Sequence, residues 1–165
     1  GEIWHLLDTR YQMPITKVDI SDFDRLPLER YNTLVLVSTY GNALSERQTE
    51  RIKTWAQGGG TLILQRSAVS WAMRQQLIRE NNIEPAEGST TAGPERYDFE
   101  TARNRSGSRS VGGVVFAADL DISHPLGFGY RQRDIYVYRN HNQMIAPSQR
   151  PINTVVQIKE LPQVD

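Results

Sequence analysis

Two short apolar segments, TLVLV at residues 33–37 and TLILQ at residues 61–65, restrict the possible folds of this chain more than any other feature. The amphipathic stretch LSERQTERIKTWAQ lies between them, and a second one, SAVSWAMRQQLIREN, directly follows TLILQ. Continuous apolar runs are typical of strands that are covered on both faces, and strands that alternate with helices form parallel βα units. The sequence therefore predicts an α/β fold.

The first of these stretches has clear signals for both ends of a helix. Ser45 and Gln48 have the spacing of a capping box, and Gly58 is expected to provide the left-handed residue that ends the helix. Phosphate-binding loops place their glycines after a strand and before a helix, whereas the glycines at 58–60 have the opposite order. We interpret them as a helix cap.

The expected architecture is three-layered and flavodoxin-like, with helices on both faces of a mainly parallel sheet. Residues 15–20, 34–39 and 61–65 are its predicted strands, together with one or more of the later segments VGGVVFAADLD, DIYVYRN and INTVVQIKE. These later segments have no helices between them and favour an antiparallel extension. An amphipathic helix is predicted in EIWHLLDTRYQM, and residues 84–110 read as a long loop or insertion within a single domain, 1–165.

Composition excludes several classes of function. Lys and Arg total 19 and Asp and Glu total 19, so no net charge attracts nucleic acid or anionic lipid. Cysteine is absent, which rules out thiol nucleophiles, disulfides and Cys-ligated metals. No apolar run has the roughly 20 residues of a membrane span. We predict no nucleic-acid partner and no membrane span.

Histidine is the remaining nitrogen ligand for a metal, and the chain has three of them. His5 and Asp8 lie one helical turn apart, but no third ligand is indicated by spacing, so no metal site is predicted. His124 precedes Pro125 in DISHPLGFGY, where it is interpreted either as part of an ordered turn or as a functional residue.

Ser67 stands at the predicted corner between strand TLILQ and the helix that follows. Many α/β enzymes hold a nucleophile at such a corner, with small residues two positions to either side. Those positions are Gln65 and Val69 in this chain, and His124 is the candidate base. The alternative is that the corner only turns the chain. Any ligand is expected beyond the strand ends, near a set of five residues: Tyr40, Gly41, Asn42, Arg66 and Ser67.

The segment YNTLVLVSTYGN, followed by LSERQTERIKTWAQGGGTLIL, resembles the glutamine amidotransferase-like fold. Together with EIWHLLDTRYQMPIT before it, and VGGVVFAADLDISHPLGFGY and IYVYRN after it, the chain resembles one particular module of this kind. That module lies C-terminal to the peptidase domain of a group of bacterial zinc carboxypeptidases. Similar domains begin with a strand ahead of the helix that opens this chain, so the resemblance implies that one sheet position is missing.

The resemblance implies a non-catalytic accessory domain that packs on or positions the peptidase domain of the same polypeptide. Active amidotransferases have a cysteine at the corner, where this sequence reads LQRSAV, and no histidine here begins an H-x-x-E zinc motif. Zinc is therefore expected only in the parent peptidase domain, and a periplasmic or secreted location follows from the resemblance. The alternative function is an autonomous hydrolase that uses Ser67 and His124.

Overall fold

The computed structural model of the chain describes residues 2–38, 43–83, 98–100 and 112–159. The chain divides into two compact units, Gly1–Ile78 and Arg79–Asp165, which are called the first and second unit below. The predicted long loop, residues 84–110, lies outside the described residues except for 98–100. The assignment of the whole chain to one domain stays a prediction.

The described residues of the first unit form three α-helices, two β-strands and two 3₁₀ turns. The 3₁₀ turns are Ile20–Arg25 and Leu28–Arg30. The other elements are, in chain order, α1 (Glu2–Tyr11), β1 (Thr33–Leu36), α2 (Glu46–Gln57), β2 (Thr61–Leu64) and α3 (Ser67–Arg74). The strands pair in parallel, from Thr33 beside Thr61 to Leu36 beside Leu64, so the predicted parallel pairing of these two segments is confirmed.

The capping box predicted for α2 is confirmed. The backbone N–H of Gln48 donates to Ser45 Oγ at 3.2 Å, and Gln48 Oε1 accepts from the Ser45 N–H at 2.9 Å. The predicted left-handed residue was wrong by one position, because Gly58 has φ −75° whereas Gly59 has φ 104°. The next glycine, Gly60, lies against the Trp55 ring, where a Cβ would come within 2.4 Å of a ring carbon.

Apolar residues from the turns and from α2 and α3 form the core of the first unit. Ile52 and Ala72 are fully buried, and Trp71 is 2% exposed. Burial of a large apolar side chain contributes roughly 1.5–3 kcal/mol, so this small cluster is the main source of cohesion in the unit. Its buried members are Phe23, Leu28, Leu44, Ile52, Trp71 and Ala72.

The second unit is built on a separate antiparallel sheet. Its strands are β3 (Val114–Leu120), β4 (Asp134–Arg139) and β5 (Val156–Ile158), in the order β4-β3-β5. Short 3₁₀ turns at Pro125–Gly127 and Pro151–Asn153 lie in the connections. Ala118 and Leu120 of β3 are buried, which marks the covered face of this sheet.

The prediction of a three-layered, mainly parallel, flavodoxin-like sheet is wrong. The later strands pair among themselves in antiparallel fashion and do not extend the pair β1-β2. In the described part of the chain the parallel sheet has two strands, which do not bury both faces as a long sheet does, and Val37 and Ile63 are 47% and 44% exposed. An apolar run alone did not distinguish a two-stranded sheet from the centre of a large one.

Two predicted elements also differ from those observed. Residues 15–20 do not form a strand, because no described strand pairs with them, and residues 16–20 are exposed. Tyr31 Oη instead contacts Thr16 Oγ1 at 3.2 Å in this segment. The helix expected over SAVSWAMRQQLIREN ends already at Arg74, since Gln76 adopts φ 56°, which a right-handed helix does not allow.

Candidate functional site

The corner between β2 and α3 has a rare backbone conformation at Arg66. This residue has φ 52° and ψ −128°, a region that non-glycine residues seldom occupy. The corner is tied to the sheet because the Gln65 N–H donates to Leu36 O at 2.9 Å. On the helix side, the N–H groups of Ala68 and Val69 donate to Gln65 O and Arg66 O. Hydrogen bonds on both sides of the corner therefore hold Arg66 in its strained conformation.

Ser67 is the first residue of α3 and is half-buried. Its Oγ lies 2.8 Å from Oγ of Ser38, which follows β1, and either hydroxyl can be the donor. The carboxyl ends of both parallel strands thus contribute to one polar cluster. A second hydroxyl is a hydrogen-bond partner but too weak a base to activate a serine at neutral pH.

Arg66 occupies the position that the nucleophile has in the nucleophile elbow of α/β enzymes, a sharp turn between a strand and a helix. In such an elbow the strained residue at the apex is the nucleophile. Sequence reasoning selected Ser67 as the only plausible nucleophile at this corner, but the structure places Ser67 one position later, inside the helix. The exposed Arg66 side chain is a permanent cation and a hydrogen-bond donor, with no nucleophilic atom at ordinary pH. The Arg66 side chain can therefore attract an anion or a carbonyl oxygen, but it cannot itself be the nucleophile.

The remaining residues of the expected ligand crevice, Tyr40, Gly41 and Asn42, lie outside the described residues. The structure places Arg66, Ser67 and Ser38 together at the strand ends, and these are the described members of the candidate site. Ser38 was missed by sequence reasoning. The parallel pairing was its available signal, since Ser38 follows β1 at the same end at which Ser67 follows β2.

His124 lies in the second unit, where it caps the turn Pro125–Gly127. Its Nδ1 accepts a hydrogen bond from the Leu126 N–H at 3.1 Å, as the interpretation of an ordered turn requires. A neutral imidazole in this state carries its proton on Nε2. The turn is packed closely against the chain before it, because a Cβ on Gly127 would lie 2.5 Å from Asp121 O. Ser67, the other candidate catalytic residue, belongs to the first unit.

A polar cleft of about 410 Å³ lies in the second unit and was not predicted. Within it, Arg133 binds Asp119 through two bonds, Nε to Oδ1 at 2.9 Å and Nη2 to Oδ2 at 2.5 Å. The hydrogen bond from Arg133 holds the pKa of Asp119 below its usual value. Bonds from the Ser123 hydroxyl and N–H, with the charge of Arg133, lower the pKa of Asp121 as well. The cleft therefore carries two ionised carboxylates and one guanidinium.

The sequence does contain a signal for this cleft. Asp119 and Asp121 are two residues apart on an extended segment, and alternation along a strand sends such side chains to the same face. The cleft is lined by Asp119, Asp121, Arg133, Pro147, Ser148, Pro151, Thr154, Val155 and Gln157.

His5 and Asp8 are both exposed on α1. Among the described residues, no group of three or more histidine, aspartate or glutamate side chains is arranged to hold a metal ion. The same part of the chain contains no helix with the length and apolar character that crossing a membrane requires.

Comparison of the chain with known protein families, with characterised proteins and with solved structures gave no match.

Proposed function

We propose that this chain is a non-catalytic accessory domain of a bacterial zinc carboxypeptidase, which packs on or positions the peptidase domain of the same polypeptide. One observation carries the proposal. The strand-to-helix corner keeps the strained geometry of a nucleophile elbow, but Arg66 occupies its apex. A scaffold with this corner and a cation in place of the nucleophile serves binding better than acyl transfer.

The local order of the first unit supports this proposal. Residues 33–74 form strand, helix, strand and helix in sequence, with the two strands parallel, and they include most of the segment that resembles the amidotransferase-like fold. The proposal does not extend to the larger sheet of those modules, because the later strands form their own antiparallel sheet. A periplasmic or secreted location and zinc in the peptidase domain belong to the same proposal.

The test is the full reading frame of the gene that contains this chain. An H-x-x-E motif upstream, with a further histidine after it, is the expected result, since these residues form the zinc site of the parent enzyme. A frame without those motifs would refute the parent assignment. Binding of the separately expressed peptidase domain to this chain then tests whether the two pack together.

The rival function is an autonomous hydrolase with Ser67 as nucleophile and His124 as base. The two functions predict different results when the whole chain is assayed for esterase activity with an activated acyl ester as substrate. Saturable turnover that is lost in Ser67→Ala and retained in Ser70→Ala, a serine one turn later in α3, would favour the hydrolase. Equal background rates in all three proteins are expected for an accessory domain.

A further inference from the structure

The connection between β3 and β4 contains a short turn that is capped by a histidine side chain. His124 precedes the 3₁₀ turn Pro125–Gly127, and its Nδ1 accepts a hydrogen bond from the Leu126 N–H at 3.1 Å. The backbone closes the same turn, because the Gly127 N–H donates to His124 O at 2.8 Å. The imidazole thus acts as the acceptor for a backbone N–H at the start of the turn, as a helix cap does.

This capping bond requires one charge state of the imidazole. A neutral ring has one N–H and one bare nitrogen, and here the bare nitrogen is Nδ1, whereas a protonated ring carries N–H on both nitrogens and accepts nothing. Protonation of His124 therefore replaces the bond from Leu126 by an encounter between two donors. Histidine is the side chain whose charge changes between about pH 5 and 8, so the cap depends on pH in the physiological range.

A carboxylate lies beside the ring and can receive it when it is charged. The His124 N–H donates to Asp121 O at 3.2 Å, so the two residues belong to one bend of the chain. Asp121 Oδ1 accepts from the N–H and the hydroxyl of Ser123, at 3.0 and 2.6 Å, and no described group donates to its Oδ2. The bonds from Ser123, together with the charges of Arg133 and His124, lower the pKa of Asp121. The carboxylate is therefore ionised when the histidine titrates.

The other charged group that acts on Asp121 leaves this oxygen open. Arg133 is bound by both carboxylate oxygens of Asp119, so it contributes positive charge at Asp121 but no hydrogen bond. On the side of β5, the Asp121 N–H donates to the backbone oxygen of Val155, an uncharged residue. A protonated imidazole consequently has one carboxylate oxygen beside it that is not already in use.

The turn has little apolar burial to hold it closed without the cap. Leu126 and Phe128 are 77% and 93% exposed, whereas Gly127 is buried and so close to Asp121 that an added Cβ would lie 2.5 Å from its backbone oxygen. Segments with few buried apolar contacts open locally at low cost. The capping bond therefore has a large share in keeping the backbone of this turn in place.

We propose that His124 is a pH-sensitive latch of the turn Pro125–Gly127. In the neutral state its Nδ1 holds the Leu126 N–H and the turn is closed. When Nδ1 takes up a proton from water, the ring releases Leu126 and donates to the Asp121 carboxylate, and the turn opens. Asp121 stays ionised, so one proton is bound in the change. This latch belongs to the second unit alone and depends neither on the parent enzyme nor on a catalytic role for His124.

NMR of the whole chain between pH 8 and 5 tests the latch. At pH 8, long-range proton–nitrogen correlations of the His124 ring should show the tautomer with its proton on Nε2. The amide signal of Leu126 should then move in a single step that coincides with the titration of the ring. Across this step the exchange protection of that amide, corrected for the intrinsic rate at each pH, should fall on the order of tenfold.

Variants at His124 separate the cap from the charge. In His124→Asn the side-chain oxygen can accept from the N–H two residues later and does not titrate, so the turn should stay closed throughout. In His124→Ala the protection of Leu126 should be low already at pH 8. His5→Asn, which removes a histidine of the first unit, is the control and should leave the step unchanged. Asp121→Asn keeps an oxygen for Ser123 but removes the charge, and the step should move to lower pH.

Three results would overturn the latch: a tautomer with the proton on Nδ1 at pH 8, a Leu126 signal that does not follow the ring, or a step that persists in His124→Asn. An unchanged step in Asp121→Asn would overturn the assignment of Asp121 as the partner of the protonated ring. The tautomer and the titration are measured on the unaltered chain, so they decide the question even if a variant does not fold.

Discussion

The side-chain oxygens of Ser38 and Ser67 lie 2.8 Å apart and join the segment after β1 to the first residue of α3. We expect Ser38→Ala and Ser67→Ala each to lower the free energy of unfolding by about 0.5–1.5 kcal/mol, since each removes this bond. The double variant should cost less than the sum of the two, with a coupling of about 0.5–1 kcal/mol in urea unfolding. Strict additivity would mean that the two hydroxyls do not stabilise each other.

If the backbone at Arg66 is strained, replacing this residue with glycine should relieve the strain and raise the free energy of unfolding. A non-glycine residue at φ 52° and ψ −128° costs about 1–3 kcal/mol, and glycine is free of that cost. Arg66→Gly is therefore expected to unfold at a higher urea concentration than Arg66→Ala, by about 1 kcal/mol in free energy.

The matched control is Arg74, the last residue of the same helix, where Arg74→Gly should be less stable than Arg74→Ala. The opposite order at Arg66, with alanine more stable than glycine, would show that the corner is not strained in solution.

Gly127 should not tolerate even one added methyl group. A Cβ added at this position would lie 2.5 Å from the carbonyl oxygen of Asp121. Because this oxygen is a backbone atom, it cannot rotate away as the end of a side chain can. We expect Gly127→Ala to destabilise the second unit by about 1–3 kcal/mol, which amide hydrogen exchange in β3 would detect. Gly112→Ala is the control, because no described atom lies within 4 Å of its Cβ position, and protection there should be nearly unchanged.

The ion pair between Asp119 and Arg133 makes the second unit sensitive to acid. The pKa of Asp119 is lowered in the folded state by the hydrogen bond from Arg133. The stability that this provides is complete above the unfolded pKa of about 4, and it is lost as the pH falls through the lower folded value. Arg133→Gln should therefore move the pKa of Asp119 upward in an NMR titration.

Arg131→Gln removes the same charge two residues away and is the control for this titration. It should leave the pKa of Asp119 close to that in the unaltered chain. If both variants raised the pKa of Asp119 equally, the low pKa would be caused by the overall positive charge of this segment and not by the bidentate bond from Arg133.

Local signals in the sequence predicted local structure well. The helices at Glu2–Tyr11 and Glu46–Gln57 follow from apolar spacing and, in the second, from the capping box at Ser45 and Gln48. These signals depend on residues within one or two turns of each other, so the surrounding fold does not alter them. The ordered turn at His124 is of the same kind, because its capping bond spans two residues.

Apart from the parallel pairing of β1 and β2, relationships across long sequence distances were not predicted. Whether β3 adds to β1 and β2 or forms its own sheet depends on pairing energies that no single segment contains. The pair Asp119 and Arg133 forms only because β3 and β4 lie side by side in one register. At the corner, the sequence indicated a turn, but which residue takes the strained conformation depends on where β2 ends, and strand ends are set by the partner strand.

The division of the chain into two units also determines what optical spectroscopy can detect. All three tryptophans, Trp4, Trp55 and Trp71, belong to the first unit, whereas the seven tyrosines are divided between the two units. Tryptophan emission during denaturation therefore reports the unfolding of the first unit and does not report the unfolding of the antiparallel sheet in the second. Superimposable curves from tryptophan emission and from the NMR amide signals of β3 would show that both units melt in one cooperative step. Separated curves would mean that each unit has a stability of its own.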